Sequence, residues 1–268
     1  MKIAIIGVGF VGNAVARAFE TNELLLVDPK LGTDISAVVE FEPNVSFVCT
    51  PTPASQDGQA NSKITLDAIQ YLLQNTYGLV VVKSTVPPSF AAQFAKSERV
   101  VFNPEFLTER NAISDMIGAD TVILGGTAHA TAWIEDYYRK HSICFAHTYQ
   151  HVSGEEACWI KYITNTMLAV KVAYLNELYS YFTDKQSWHH VVNALRKDPR
   201  LGTSHWLVPG LDGKRGFGGA CFPKDSKALL HEAPDLSILK TVIESNTYFR
   251  SLYEPELREL EQNIKFKE

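Results

Sequence analysis

An α/β chain is predicted: a doubly wound, mostly parallel sheet in residues 1–150, followed by an all-helical domain, residues 151–268, built on one long helix. Three features predict it. Short β-rich apolar runs alternate with helical or loop segments from residue 3 onward. A glycine triplet, Gly7, Gly9 and Gly12, lies between the first apolar run and the first helical segment. After Val152-Ser153-Gly154, residues 155–182 carry apolar side chains at helical spacing with no glycine or proline among them.

The elements follow in order. Residues 3–6, 14–19 and 24–27 read as strand, helix and strand, a βαβ unit. Strand-like runs recur at 45–49, 80–82, 100–102 and 122–124, each separated by a segment long enough for a crossover, so a parallel sheet covered on both faces is expected. Beyond the long helix, shorter helices are expected at 188–196, 224–232, 237–249 and 255–264. Residues 207–219 are the most glycine-rich stretch and read as an ordered loop. Residues 254–268 read as a charged helical tail.

Composition bounds the function. The chain has 268 residues, 46% of them hydrophobic, which suits one large or two modest domains with a real core. A formal charge of −5 and the lack of any dense Lys/Arg block argue against nucleic acid or an anionic membrane as a partner. The first seven residues are too short an apolar stretch for a signal peptide or a membrane span, so a cytoplasmic location is expected. Cys49, Cys144, Cys158 and Cys221 show no paired metal spacing, and His189-His190 lacks matching ligands, so no metal site is expected. Trp133, Trp159, Trp188 and Trp206 read as packing anchors.

Gly7-Val8-Gly9-Phe10-Val11-Gly12 follows a strand and opens a helix, the context that a dinucleotide fingerprint requires. The first glycine permits the tight turn, the second lets backbone approach a pyrophosphate, and the third lets helix and strand pack closely. Asp28, ending the second apolar run, can accept hydrogen bonds from an adenosine ribose and would repel a 2′-phosphate, which points to NAD rather than NADP. The first domain is therefore read as Rossmann-like.

Cys221 follows Gly216, Gly218 and Gly219 and precedes Pro223-Lys224-Asp225, where a helix can begin with Pro223 at its first position. A thiol there feels the positive end of a helix and a nearby ammonium, both of which favour thiolate; the alternative is a small residue closing a turn. Lys161 and Asn165 lie four apart on the long helix and share a face, pointing either into a cleft or to solvent. Glu105 and Glu109 are also four apart, and by themselves suggest an acidic helix start.

Together these segments resemble the UDP-glucose/GDP-mannose 6-dehydrogenase family. The resemblance runs through the fingerprint, Val48-Cys49-Thr50-Pro51-Thr52-Pro53, Lys83-Ser84-Thr85-Val86-Pro87-Pro88 and Asn103-Pro104-Glu105-Phe106-Leu107-Thr108-Glu109. It continues through Glu156, Lys161 and Asn165, then Asp198-Pro199-Arg200-Leu201-Gly202, and ends on the long run from Gly216 to Asp225. The resemblance implies oxidation of a sugar C6 alcohol to a carboxylate with two NAD and one water, Cys221 holding the carbon as thiohemiacetal and then thioester. It implies that Lys161 and Asn165 stabilise oxyanions, that Asp225 positions water and orients Lys161, and that Glu105 is the hydrolytic base, with Glu109 and Thr85 in a proton network. Gly7, Gly9, Phe10, Val11, Gly12, Asp28, Thr50, Pro51, Thr85 and Lys224 would line the cofactor. Glu105, Phe106, Leu107, Lys161, Asn165, Arg200, Phe217, Gly218 and Cys221 would meet the substrate, Arg200 often from a partner subunit.

The sequence also departs from the family pattern. The segment between Asp28 and Val48 is shorter than usual, so a sheet-edge element is expected to be missing, and Thr108 stands where an arginine is common. The chain stops at Glu268, where the family usually continues into a nucleotide-binding domain, so a short form is expected. A homodimer packed around residues 155–182 is expected from the broad apolar face of that helix. Two other readings stay open: a two-electron 3-hydroxyacid dehydrogenase, which needs no cysteine, and a non-catalytic binding protein derived from the family.

Overall fold

The computed structural model describes residues 1–55 and 57–267. The chain divides into two compact units. The first comprises residues 1–52 and 61–161, the second 53–60 and 162–268. The division falls inside the long helix, between Lys161 and Tyr162, whereas the sequence reading places it after residue 150.

The first unit alternates strand and helix: β1 (Lys2–Ile6), α1 (Phe10–Ala18), β2 (Glu23–Val27), α2 (Ala37–Phe41), β3 (Val45–Val48), α3 (Lys63–Asn75), β4 (Leu79–Val82), α4 (Pro88–Ala92) and β5 (Val100–Phe102). It continues with α5 (Ala112–Gly118), β6 (Thr121–Gly125), α6 (Ala128–His141), β7 (Thr148–Val152) and the first turns of α7 (Gly154–Tyr179). The described strands form one sheet in the order β2-β1-β3-β4-β5-β6-β7. All pairs are parallel except β5 with β6, which meet antiparallel at Phe102 and Gly125. Between Asp28 and β3 the chain makes only a 3-10 turn, Pro29–Leu31, and the short α2, so β2 is the edge of the sheet.

Burial on both faces explains the continuous apolar strands. Ile3, Ile5, Phe47 and Val81 point into one core, with Ala14, Val15, Ile134 and Tyr138 from α1 and α6. Ala4, Ile6, Val48, Val80 and Val82 point into the other, with Ile69 and Leu72 of α3 and Ala157 of α7. Because side chains alternate along a strand, neighbours in one short run serve opposite cores.

The second unit holds the rest of α7 with α8 (Lys185–Leu195), α9 (Phe222–Glu232), α10 (Ser237–Arg250) and α11 (Leu257–Glu261). Its clusters pack Leu175, Trp188, Val192, Trp206 and Val208 together, and Ala169, Ala173, Phe217 and Val242 together. Trp188 and Trp206 are buried as anchors, whereas Trp133 is partly exposed. No described helix is long and apolar enough to cross a membrane.

Candidate active site

In the first unit the residues singled out by sequence follow the carboxyl ends of five adjacent parallel strands, where open α/β sheets bind ligands. Gly7 follows β1, Asp28 follows β2, Cys49-Thr50 follows β3, Lys83-Ser84-Thr85 follows β4 and Asn103-Pro104-Glu105 follows β5. Neighbouring strands of the sheet diverge at β1, with β2 on one side and β3 on the other.

The fingerprint fits a dinucleotide. Gly7 has φ +92°, which a side chain would strain, and a Cβ on Gly12 would lie 2.0 Å from the Gly7 carbonyl oxygen. A Cβ on Gly9 would meet nothing within 4 Å, which leaves open space beside the first turn of α1, where the helix N-terminus favours phosphate. Asp28 accepts hydrogen bonds from the Val8 amide at 2.8 Å and the Lys30 amide at 2.8 Å. Those two amides, the Val8 bond foremost, hold its carboxyl below the usual aspartate range and keep it an anion beside the fingerprint. Phe10 and Val11 begin α1 and are half-buried, and Pro51 is exposed next to the buried Thr50. The Thr50 hydroxyl is 2.8 Å from that of Thr65, Ser84 Oγ donates to the Thr50 carbonyl at 2.8 Å, and Thr52 Oγ1 donates to the Thr85 carbonyl at 2.9 Å. This network joins the turns after β3 and β4.

Glu105 and Lys161 meet in the same unit. Lys161 Nζ donates to the Glu105 carbonyl at 2.5 Å and to its Oε1 at 3.0 Å, and Oε2 accepts from the Leu107 amide at 2.7 Å. Both side chains are buried, so Lys161 is not part of a solvated stripe. The ammonium also lies 5.3 Å from the Phe106 ring centre. Below them, Asn103 accepts from Lys83 Nζ at 3.1 Å and Tyr138 OH at 2.7 Å, and donates to the Ile123 carbonyl at 2.8 Å, which anchors the turn that carries Glu105. Burial holds the Lys83 ammonium below the usual lysine range and pushes the Cys49 thiol up to about 12. Burial also raises Cys144, so both thiols stay protonated at neutral pH. Glu105 and Glu109 do not share a helical turn: Glu105 lies in an irregular segment after β5, and the exposed Glu109 opens a 3-10 turn after Thr108, which bonds Asp115.

In the second unit, Cys221 is the N-cap residue of α9, Phe222 is the first helical residue and Pro223 the second. The helix thus begins one residue before the expected start at Pro223, and the half-buried thiol side chain belongs to the cap itself. Asp225, 1% exposed, accepts from Asn165 Nδ2 at 2.6 Å and from Lys224 Nζ at 2.5 Å, and its amide donates to the Cys221 carbonyl at 2.8 Å. Lys224, expected near cofactor or phosphate charge, is a buried ion-pair partner of Asp225. The loop before Cys221 is fastened from several sides. Asn176 accepts from the Gly216 amide at 2.9 Å, and Asn246 accepts from the Phe217 amide at 2.6 Å and donates to the Phe217 carbonyl at 2.9 Å. Arg200 stands apart, its side chain 86% exposed and bonded to Asp198 at 2.6 Å. None of the four cysteines forms a disulfide, and no group of metal-ligating side chains occurs among the described residues.

Sequence reasoning missed Lys83, Asn103, Asn176 and Asn246 as supports of the site. Lys83 and Asn103 each open one of the quoted motifs. The two helical asparagines could have been found only as polar residues at apolar-face positions.

Comparison with known proteins agrees with these features. The NAD binding domain of the UDP-glucose/GDP-mannose dehydrogenase family matches residues 29–142, and the central domain of that family matches residues 155–248. UDP-glucose 6-dehydrogenase YwqF of Bacillus subtilis is 32% identical over 222 residues, 76% of this chain and 48% of its own. UDP-glucose 6-dehydrogenase of Campylobacter jejuni is 27% identical over 308 residues, 98% of this chain and 76% of its own. A UDP-glucose dehydrogenase structure from the archaeon Pyrobaculum islandicum superposes with a TM-score of 0.74 at 25% identity, over 92% of this chain and 68% of that one. The chain spans about half to three quarters of the length of these curated relatives. Two domains matched in the family's order, downstream of a glycine turn that suits a dinucleotide, leave one conclusion: the chain belongs to the UDP-glucose/GDP-mannose dehydrogenase family and carries its NAD binding domain.

Proposed function

We propose that this protein oxidises the C6 primary alcohol of a nucleotide sugar to a carboxylate, a four-electron reaction in which Cys221 is the covalent nucleophile. Gly7, Gly9, Phe10, Val11, Gly12, Asp28, Thr50, Pro51 and Thr85 would hold NAD, which when bound accepts one hydride in each of two oxidations. The Cys221 thiolate adds to the C6 aldehyde carbon, and its S–C bond holds the carbon first as a thiohemiacetal and, after loss of two further electrons, as a thioester. Water then breaks the S–C bond, supplies the second carboxylate oxygen and returns the thiol. Lys161 and Asn165 donate to the oxyanion at each tetrahedral stage. Glu105, whose carboxylate lies beside the Lys161 ammonium, takes the proton of the attacking water. Asp225 orients Asn165 and holds the charge of Lys224.

The observation that carries this reading is the buried Asn165–Asp225–Lys224 group, which ties Asn165 of α7 to the first turn of α9, the helix capped by Cys221. Buried charge in a small helical unit is costly unless paired, and its placement against the cap residue supports a reactive thiol. The test is to count NADH per sugar across UDP-glucose, GDP-mannose and related sugars. Two NADH per uronic acid are expected, with turnover lost in Cys221→Ser while NAD binding is kept. One NADH per substrate, with Cys221→Ser fully active, would instead favour a two-electron 3-hydroxyacid-type enzyme.

We also infer a homodimer through α7. Ile163, Met167, Val170 and Tyr174 recur at helical spacing along one side of the helix, with Ile163, Met167 and Tyr174 largely exposed. Val170 and Tyr174 line a groove with Ile238 and Val242 of α10, an apolar surface of the kind that two copies cover by symmetry.

A further inference from the structure

The segment after α10 is not a solvated tail. Glu259 of α11 is 0% exposed. Its Oε1 accepts from Arg250 Nη2 at 2.6 Å and from the Gly219 amide at 3.0 Å, and its Oε2 accepts from the Glu256 amide at 2.7 Å. Three donors converge on one carboxylate, so neither an amide nor a shorter acid can satisfy all of them. A Cβ on Gly218 would lie 2.3 Å from Glu259 Oε1 and 2.4 Å from Arg250 Nη2, so the loop backbone is pressed directly against this ion pair. Gly219 has φ +75°, a conformation that its bonded amide helps to fix, and Cys221 follows two residues later.

The segment is itself anchored. Ile264 and Phe266 are buried, the Arg250 guanidinium lies 5.5 Å from the Phe266 ring centre, and Arg250 Nη1 bonds Asp212 at 2.6 Å. The Gln262 carbonyl accepts from the Ala54 amide at 3.2 Å, and Asn263 Nδ2 donates to the Ala54 carbonyl at 3.3 Å.

We propose that residues 254–267 are a strap that sets the position of the Cys221 loop, with Glu259 as its positioning residue. The proposal rests on the reading of Cys221 as the nucleophile. Glu259 fixes Gly218 and Gly219, these fix the entry into α9, and the cap residue thereby holds its thiol at the positive end of the helix. The charged and titratable groups around this loop are Lys224 and Asp225 on α9, His205 against the Phe222 ring of α9, Asp212, Lys214 and Arg215 ahead of it, Arg250 on α10, and Glu256 and Glu259 of the strap.

The test is the alkylation rate of Cys221 by iodoacetamide against pH in the full chain, followed by peptide mass spectrometry. Glu259→Asp keeps the charge and loses the reach. Its alkylation midpoint is expected to rise by about one pH unit, slowing the reaction about tenfold near neutral pH, with NAD affinity within about twofold of the parent. An unchanged or lowered midpoint overturns the proposal. Should Glu259→Asp fail to fold, Glu259→Gln decides on the same terms. Deleting an anion alone would lower a thiol's midpoint, so a rise in that variant reports lost positioning. The alkylation profile does not depend on turnover. Full four-electron activity in Cys221→Ser would sink the nucleophile reading and leave the strap result standing.

Discussion

Asp225 serves two partners from the first turn of α9: one oxygen takes the Asn165 amide and the other the Lys224 ammonium, all three side chains being buried. In such a place a charge is tolerated only because it is paired. Asp225→Asn deprives Lys224 of its counter-charge inside the protein and should cost about 3–5 kcal/mol, the range for breaking a buried ion pair from one side. Urea unfolding followed by far-UV circular dichroism measures this, and a loss under about 1 kcal/mol would mean that the pair is solvated. The sequence put Cys221, Asn165, Asp225, Glu105 and Glu109 in one family motif set, while the four-residue spacing of Glu105 and Glu109 by itself suggested one acidic helix start. The irregular segment at Glu105 separates them, because the Glu105 carboxylate turns back to accept from the Leu107 amide and Lys161.

Among elements, the β1-to-α1 turn has the least slack. Gly12→Ala puts a methyl group 2.0 Å from the Gly7 carbonyl, a backbone atom that cannot move without shifting the strand. The expected loss is about 3 kcal/mol of stability, with NAD affinity down at least about tenfold as the turn opens. Equilibrium unfolding and a fluorescence titration with NAD read the two effects; wild-type values in both would mean that the turn accommodates a side chain. The first strands were legible because each is a continuous apolar run between turn residues. β7 was not, since Thr148-Tyr149-Gln150-His151-Val152 is a polar edge strand with no apolar run, held by pairing to β6. The last helix is shorter than its pattern, Leu257–Glu261, because Glu256 and Glu259 close a capping box at its start and Asn263 adopts φ 56° beyond its end.

For the whole molecule, the proposed dimer makes α7 a shared element. Met167 is 64% exposed in the middle of the apolar stripe, so Met167→Glu should place two like charges near the symmetry axis. Sedimentation velocity at micromolar concentration is expected to show a dimer for the parent chain and a monomer for this variant. A monomeric parent would reject the interface.

The sequence by itself determined the order of strands from β1 to β6, the glycine turn and acid of a dinucleotide fingerprint, and the identity of the residues proposed to react. These are local properties, written in periodicity and in short motifs whose backbone demands only glycine or proline meets. Only the tertiary structure decided which polar groups are buried together. Glu259 reads as one charge in a charged tail, yet it is fully enclosed by Arg250 and the Gly219 amide, 40 residues away in the chain. Whether an ion is solvated or buried depends on what packs around it, and no local pattern carries that information, because the partners are brought together only when the helices close on one another.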